Sequence, residues 1–568
     1  MGRGLARAAR VATLVAVAAL LAGGSALGGP GQARPGWRAA TGSFRLTFLA
    51  GSRTVAQEAT QAGHPGGRLG YVLGDGSTHG LGRVLGTRAV AGGTEYRVAT
   101  DEAGRTARVT VRRAPAAVDV SLALVPATGV AATFDALVSH PGEHFLGGGE
   151  RGGALDLSGQ ALAIKVSHAC GNAMPAPFFA SSAGYGVALR STAIAALAFP
   201  GADPAKACAG GSEPLCPLAA HAATVQLCLK APALSYRLFV GDPQAVVSGY
   251  TKLAGRPLVP PASQFELIKW RDAVDGKDQL LEDVTKLRSL DIPIGWVLLD
   301  NPWEAGLCYG NLAFDTGRFG DPAQLARTLH SQDVRLMLWI SPLVRLDCPP
   351  LPQYKPGSLV GSDGPAATVD LTNPGAAAAF EAGLKRLIAL GVDRFKADRG
   401  EEADLESLQL AGGKGVLLHN LYPLLYARAV AAAVKAAGAS SSFVSLFHSA
   451  WPRAPRRSGR RRGPWTPSTF PAAAGGCTRR APGSPRRRRP GSGRSTRRSR
   501  VARSPSTCTV RRARRRSSSS ASTWRARRSV RHRPPTRRCR RWDRDGSTRR
   551  RRSPESCSSL RRSPARPP

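Results

Sequence analysis

The feature that most constrains this chain is a change of hydrophobic rhythm at "GRPLVPPA", Gly255 to Ala262. Before it lie short runs that alternate apolar and polar residues: "SFRLTFLA", "TEYRVAT", "ARVTVRR", "AVDVSLALV", "VQLCLK" and "LSYRLFV". Side chains on a strand leave opposite faces in turn, so alternation marks strands with one buried face. Gly and Pro clusters separate the runs, which predicts an antiparallel β-sandwich.

After Gly255 the runs become continuously apolar and alternate with helical stretches. "FELIKW" precedes the helix candidate "KDQLLEDVTKLRSL", "IGWVLLD" precedes "DPAQLARTLHSQD", and "VRLMLWI" precedes "NPGAAAAFEAGLKRLIAL". "VDRFKAD", the helix "LYPLLYARAVAAAVKAA" and "SSFVSLFH" complete the series. Such strands are buried on both faces, as in parallel βα units. Each run ends in polar or aromatic residues: Arg271 and Asp272, Asp300, Trp339, Asp398 and His448. Chemistry at the C-terminal strand ends is the mark of a TIM (β/α)8 barrel. A doubly wound sheet would satisfy the same rhythm. The expected fold class is α/β plus β: an N-terminal sandwich followed by a barrel of which about five strands are encoded.

The expected domains are a signal peptide at 1–33, the sandwich at 34–256, the partial barrel at 257–452 and a tail at 453–568. The tail carries most of the net charge of +42. It holds 39 arginines and three acids, for +36, and leaves the first 452 residues only mildly basic at +6. It has no Ile, Asn, Gln, Tyr, Met or Lys, and a composition such as "RRARRRSSSS" cannot bury a core. One reading is a basic disordered segment that binds nucleic acid or another polyanion. The favoured reading is out-of-frame translation. The Ala- and Gly-rich body implies GC-rich codons, which read one base off yield Arg, Pro, Ser, Gly and Ala. On that reading no nucleic-acid partner is expected.

Arg3, Arg7 and Arg10 precede the apolar run Val11 to Leu21, and small residues follow, so cleavage is expected after Ala26 or Ala33. The reading is a secreted protein with no membrane span in the mature chain; an uncleaved anchor is the alternative. Export permits disulfides. The body has cysteines at 170, 208, 216, 228, 308 and 348, without a CxxC or Cys/His metal spacing, and their connectivity stays open.

Asp300 and Asp398 at one barrel end are a carboxylate pair able to work on a sugar. Trp339, between them in the strand order, offers an apolar face to a pyranose ring. Lys396 and Asp398 leave the same strand face, so the ammonium would hold the carboxylate in its charged form, as a nucleophile requires. A purely structural ion pair is the plainer reading of those two residues.

Several segments, in order, resemble glycoside hydrolase family 31, the retaining α-glucosidase and α-xylosidase family. They are "EHFLGGGERGGALDLSGQ", "PAPFFASSAGYGVAL", "YRLFVGDPQAVVSGYTKLAGRPLVPP", "LLDNPWE", "FDTGRFGDPAQLARTLHSQDVRLMLWISP", "VDLTNP", "GVDRFKADRGEE" and "HNLYPLLYARAV". The resemblance runs from about His144 to Trp451. It implies Asp398 as the nucleophile and Asp300, Trp339, Lys396, Trp303 and His448 at the sugar, with Lys396 as in the xylosidase-like members. It implies hydrolysis of terminal α-linked glucosides or xylosides with retention, on an oligosaccharide or glycoside substrate, and no metal or organic cofactor. Cys308 and Cys348 follow neighbouring strands at the same barrel end and are expected to form a disulfide.

The departures from the family pattern are specific. The family's acid/base lies in a "W-x-G-D" segment after the fifth strand, and no such segment occurs here. His448 stands where the family has Arg, and Arg399 replaces the usual aromatic after the nucleophile. Arg394 is an unusual charge for a barrel interior. His168, in "VSHACGN", stands near the position of a sandwich-borne Asp that reaches the sugar in some members. Glu401 and Glu402 are expected to be solvated. The encoded chain is therefore expected to lack its proton donor and to be inactive or unstable.

Overall fold

The computed structural model describes residues 34–170, 174–208, 216–256, 259–301, 303–348, 353–363, 366–403, 405–438 and 446–447. The expected signal peptide, His448 and the Arg-rich tail lie outside them. No helix of the described residues is long and apolar enough to cross a membrane.

The N-terminal half is all antiparallel strand. Pro35–Ala40, Arg45–Ala50 and Arg53–Gln57 form a three-stranded sheet, and the next thirteen strands form one continuous ladder. Two separate layers were expected. The ladder is continuous because one strand, Thr78–Val90, serves two neighbourhoods. Its start pairs with Gly70–Leu73 and the rest with Gly93–Thr100. Register shifts between Leu81 and Val84 and between Val84 and Gly86 interrupt the second pairing. Such bulges bend and twist a strand, which lets one ladder fold over on itself.

Alternation in the sequence becomes the core of this fold. In "AVDVSLALV", Val118, Val120, Leu122 and Leu124 are buried, whereas Asp119, Ser121 and Ala123 are only half-buried. The buried set meets Leu197, Leu227, Leu229 and Ile164 from the other arm of the ladder, with Leu46 and Phe48 from the three-stranded sheet and Phe44 from the turn before its second strand.

From Ile268 onward the strands are parallel. Ile268–Arg271, Trp296–Leu299, Arg335–Ile340, Arg394–Ala397 and Leu446–Phe447 form one sheet in chain order. Helices Lys277–Ser289, Pro322–His330, Pro374–Ala389 and Tyr422–Ala436 follow or separate them. Two begin on "DP" and "NP": Asp321 accepts from the Ala323 amide at 3.0 Å and Asn373 from the Gly375 amide at 2.9 Å. The short polar side chain satisfies a free amide of the first turn, and Pro presets its backbone angle. Leu325, Leu329, Phe380, Leu384 and Leu387 point these helices into the sheet, against Leu336, Leu338 and Phe395.

The strand-rich half and the parallel sheet are joined by a segment that follows the fourth parallel strand. Asn420, fully buried, donates to the carbonyls of Ile164 at 2.9 Å and Ala193 at 3.1 Å, and accepts from the Val166 amide at 2.8 Å. His419 Nε2 bonds the Val166 carbonyl at 2.8 Å, and Lys165 pairs with Glu406. His168 is exposed in the turn before Cys170.

Replacing Asn420 with Ala leaves two carbonyls and one amide buried without that partner. Each such group costs about 1–3 kcal/mol, so Asn420→Ala should lower stability by about 3 kcal/mol or more in denaturant titration. A loss below about 1 kcal/mol would show that this junction does not hold the fold together.

Candidate active site

The parallel register sets the site. Leu299 is level with Arg271 and Leu338, and Trp339 and Ile340 are level with Lys396 and Ala397. One residue beyond these levels, Asp300 and Asp398 emerge at the same end of the sheet. Period-two alternation then selects the side chains. Lys396 faces the mouth, while Phe395 and Ala397 are buried in the core beneath the helices. On the first strand Lys269 and Arg271 turn to Asp283, at 3.0 and 2.6 Å, so Arg271 is a strand-to-helix tie. Trp270, between them, turns to the mouth.

At the mouth a lysine lies between two carboxylates. Lys396 Nζ donates to Asp300 Oδ2 at 2.8 Å and stands 3.5 Å from Asp398 Oδ2. Its closer partner is Asp300, not the expected Asp398, and Asp398 Oδ2 accepts the Trp339 indole N–H at 2.7 Å. Asp398 Oδ1 accepts the Arg399 amide at 2.9 Å. Asp300 Oδ2 also accepts the Trp270 indole N–H at 2.6 Å, and Oδ1 accepts the Asn301 amide at 2.8 Å. Both carboxylates are thus fixed in direction, and both keep some exposure, 11% for Asp300 and 20% for Asp398.

The aromatic residues divide differently from expectation. Trp339 is only 2% exposed and turns its edge to Asp398, so its role here is orientation of the carboxylate. Trp303, expected at the sugar, is fully buried, and this corrects the sequence reading. Its indole N–H donates to the Trp339 carbonyl at 2.6 Å, and its ring packs on Phe314 with centroids 5.0 Å apart. The cause is the turn that follows it. Glu304 Oε1 accepts the amides of Leu312 at 2.7 Å and Gly310 at 3.1 Å, folding the loop back over Trp303. Burial pushes the Glu304 carboxyl up to about 8 despite those amides. The same loop is bonded through Cys308 to Cys348, and it carries Tyr309, whose ring meets Trp339 edge-on at 6.1 Å.

Trp270 was missed in the sequence. It closes "FELIKW" and is 46% exposed, with Lys396 Nζ 5.7 Å from its ring centre. Its signal is its place at a strand end, the same cue that singles out Asp300. Arg399 takes a left-handed backbone (φ 60°). Its guanidinium lies 5.4 Å from the Tyr309 ring and 5.8 Å from the Trp339 ring, and it pairs with Glu402 at 3.4 Å. Glu401, expected in solvent, is 4% exposed, a second correction. The chain turns inward after Arg399 and brings Glu401 near the buried Tyr426 hydroxyl, along with Asp398 and Glu304. Burial first, then Tyr422 and these acids, raises that hydroxyl well above the usual tyrosine range, and it donates to the Ile340 carbonyl at 2.9 Å.

Arg394 lies at the opposite end of the fourth strand, about 13 Å from the mouth at ~3.3 Å per residue. It is buried, 4.1 Å over the Trp296 ring, and bonds Ser263 Oγ at 3.3 Å and Gln264 Oε1. It plugs the N-terminal end of the sheet, where barrel residues serve stability. Among the described residues no cluster of His, Cys, Asp and Glu could hold a metal ion.

Residues 257–457 match the glycosyl hydrolases family 31 TIM-barrel domain. An α-xylosidase XylQ of Lactiplantibacillus pentosus is 28% identical over 272 residues, covering 45% of this chain and 33% of that protein. An α-xylosidase of Emericella nidulans is 26% identical over 314 residues, covering 51% of this chain and 37% of that protein. The chain therefore spans about a third of the length of these curated relatives. Among solved structures, a family 31 sulfoquinovosidase from E. rectale has the same fold, with a TM-score of 0.58 at 14% identity over 73% of this chain and 67% of that one. With the barrel-domain match and these relatives, residues 257–457 carry the barrel domain of glycoside hydrolase family 31.

Proposed function

We propose that this chain derives from a secreted, exo-acting retaining α-glycosidase of the α-xylosidase type, with Asp398 as nucleophile. The observation that carries the reading is the Asp398 carboxylate at a strand end, aimed by the Trp339 indole and the Arg399 amide and faced by Lys396 and Asp300. Asp398 attacks the anomeric carbon while the leaving oxygen takes a proton from a general acid. Water then cleaves the glycosyl ester and restores the carboxylate. Asp300, fixed by Trp270 and Lys396, accepts a sugar hydroxyl in the same subsite. Trp270 offers the exposed aromatic face first assigned to Trp339. Three disulfides, Cys170–Cys208, Cys216–Cys228 and Cys308–Cys348, support an oxidising compartment.

The proton donor and the last barrel strands are, in this reading, lost to a frame change near Pro452. The first parallel strand is a sheet edge among the described residues, flanked by Phe265 at 79% exposure and Leu267 at 45%. An apolar open edge is what removal of a neighbouring strand leaves behind. The nucleotide sequence near codons 440–460 tests this directly. A one- or two-base shift should restore Ile, Tyr, Asn and a "W-x-G-D" segment. If no shift does so, the Arg-rich tail is native, and the polyanion-binding reading of its 39 arginines takes precedence.

The encoded chain should hydrolyse an aryl α-xyloside slower than its frame-restored counterpart by about 10²- to 10⁴-fold, the range general acid catalysis spans. Asp398→Asn should abolish turnover by the restored chain. Equal rates for the encoded and restored chains would remove the frame-change account. In the restored chain, Trp270→Phe removes one N–H bond to a carboxylate, worth about 1.5–3 kcal/mol. Xylose binding by calorimetry should weaken about ten-fold or more, and unchanged affinity would take Asp300 out of the sugar site.

A further inference from the structure

The strand-rich half contains two carboxyl groups that the proposed chemistry does not use. Glu58 follows the strand Arg53–Gln57, and Asp135 sits in Val130–Val138; both are 0% exposed. Glu58 forms a bridge to Leu137, so the two side chains meet where the three-stranded sheet touches the thirteen-stranded ladder. Three of the elements around them supply the other charged or titratable groups. Tyr236, from Ala233–Val240, donates to Asp135 Oδ2 at 2.8 Å. Arg68 lies nearby and its charge favours the Glu58 anion; two of its guanidinium nitrogens bond Thr60 O and Ser43 Oγ, and Arg45 lies beyond it. The neighbouring strand Thr224–Leu229 adds no ionisable group, since Cys228 is in a disulfide. The hydroxyl of Tyr71, in Gly70–Leu73, is bound to Glu102.

The oxygens left without a donor decide the chemistry. Glu58 Oε2 accepts the Leu46 amide at 2.7 Å. Glu58 Oε1 and Asp135 Oδ1 have no donor. Two neighbouring carboxyl groups in a dry interior repel if both are ionised, and one oxygen of each lacks the hydrogen bond a buried polar atom needs. A proton between them supplies the missing donor and removes one charge.

We propose that one proton shared by Glu58 Oε1 and Asp135 Oδ1 clasps the N-terminal three-stranded sheet to the large ladder, and that the clasp opens as pH rises. The proton resides on Glu58. Burial, and next the charge of Asp135, push the Glu58 carboxyl well above the usual range. Burial raises Asp135 as well, but the Tyr236 hydroxyl and backbone amides stabilise its anion. A carboxyl raised in the folded state holds its proton where the unfolded chain has released it. Its stabilisation is complete below the unfolded value of about 4.3 and is lost as pH rises towards the folded value.

Hydrogen exchange of the full chain tests the clasp locally. Protection factors of the amides in Arg45–Ala50 and Arg53–Gln57 should fall as pH rises above the unfolded carboxyl value of about 4.3, by up to ten-fold per unit for one proton. Glu58→Gln should abolish that fall, because its amide donates to Asp135 at every pH. Tyr236→Phe weakens the Asp135 anion and should move the fall to higher pH. A role of the hydroxyl in packing alone would lower protection equally at all pH values. Constant protection in the wild-type chain, or an unchanged midpoint in Tyr236→Phe, overturns the proposal even if Glu58→Gln does not fold.

Discussion

The site depends on one ammonium group. Asp300 and Asp398 are brought to the same mouth by strand register, and two carboxylates there repel each other. Lys396 Nζ, at 2.8 Å from one and 3.5 Å from the other, offsets that repulsion. Its position follows from parity: two residues before Asp398 on a strand is the same face, and the neighbouring strands are level with it. The indole groups finish the arrangement. Trp270 and Trp339 each give a hydrogen bond to a carboxylate, so the charges are aimed as well as neutralised.

The loop after Asp398 ties this mouth to the strand-rich half. It starts with Arg399 held against Tyr309 and Trp339, and it ends with His419 and Asn420 bonded to the backbone around Val166. Between them Lys165 pairs with Glu406, whose carboxyl that lysine helps to hold below the usual range against the effect of burial. A shift of the strand-rich half would therefore act on the residues that follow the nucleophile candidate. The two halves are mechanically one support for the mouth, which gives the sandwich a part in the site without lending it a reacting group.

Much of this was legible in the sequence because alternation and strand ends report directly on side-chain direction. "AVDVSLALV" announces its buried face, and "IGWVLLD" announces an acid at a strand terminus. What stayed hidden was set by partners far along the chain. Trp303 and Trp339 both border apolar strands, and only the fold of the Glu304 loop decides that one is sealed in and the other touches Asp398. Trp270 did not stand out because nothing local reveals that its strand is an edge of the sheet among the described residues. Glu401 looked solvated because charge clusters usually are, yet the left-handed turn at Arg399 directs the chain inward. The continuous ladder was invisible because bulges in Thr78–Val90 leave no more than glycines in the sequence.

The fold deals with adjacent carboxyl groups in two ways, and the difference follows from what each pair must remain free to do. At the mouth a lysine supplies the positive charge, and Asp398 and Asp300 keep partly exposed oxygens that a substrate can approach. In the strand-rich half Arg68 acts on Glu58 through its charge alone while it bonds Thr60 and Ser43, so no cation donates a hydrogen bond to Glu58 Oε1 or Asp135 Oδ1, and a proton can join them. A proton-joined pair has no oxygen left to offer a ligand, but it links two sheets across a surface that water does not reach. A cation suits a pair that must stay reactive, and a proton suits one that must only hold.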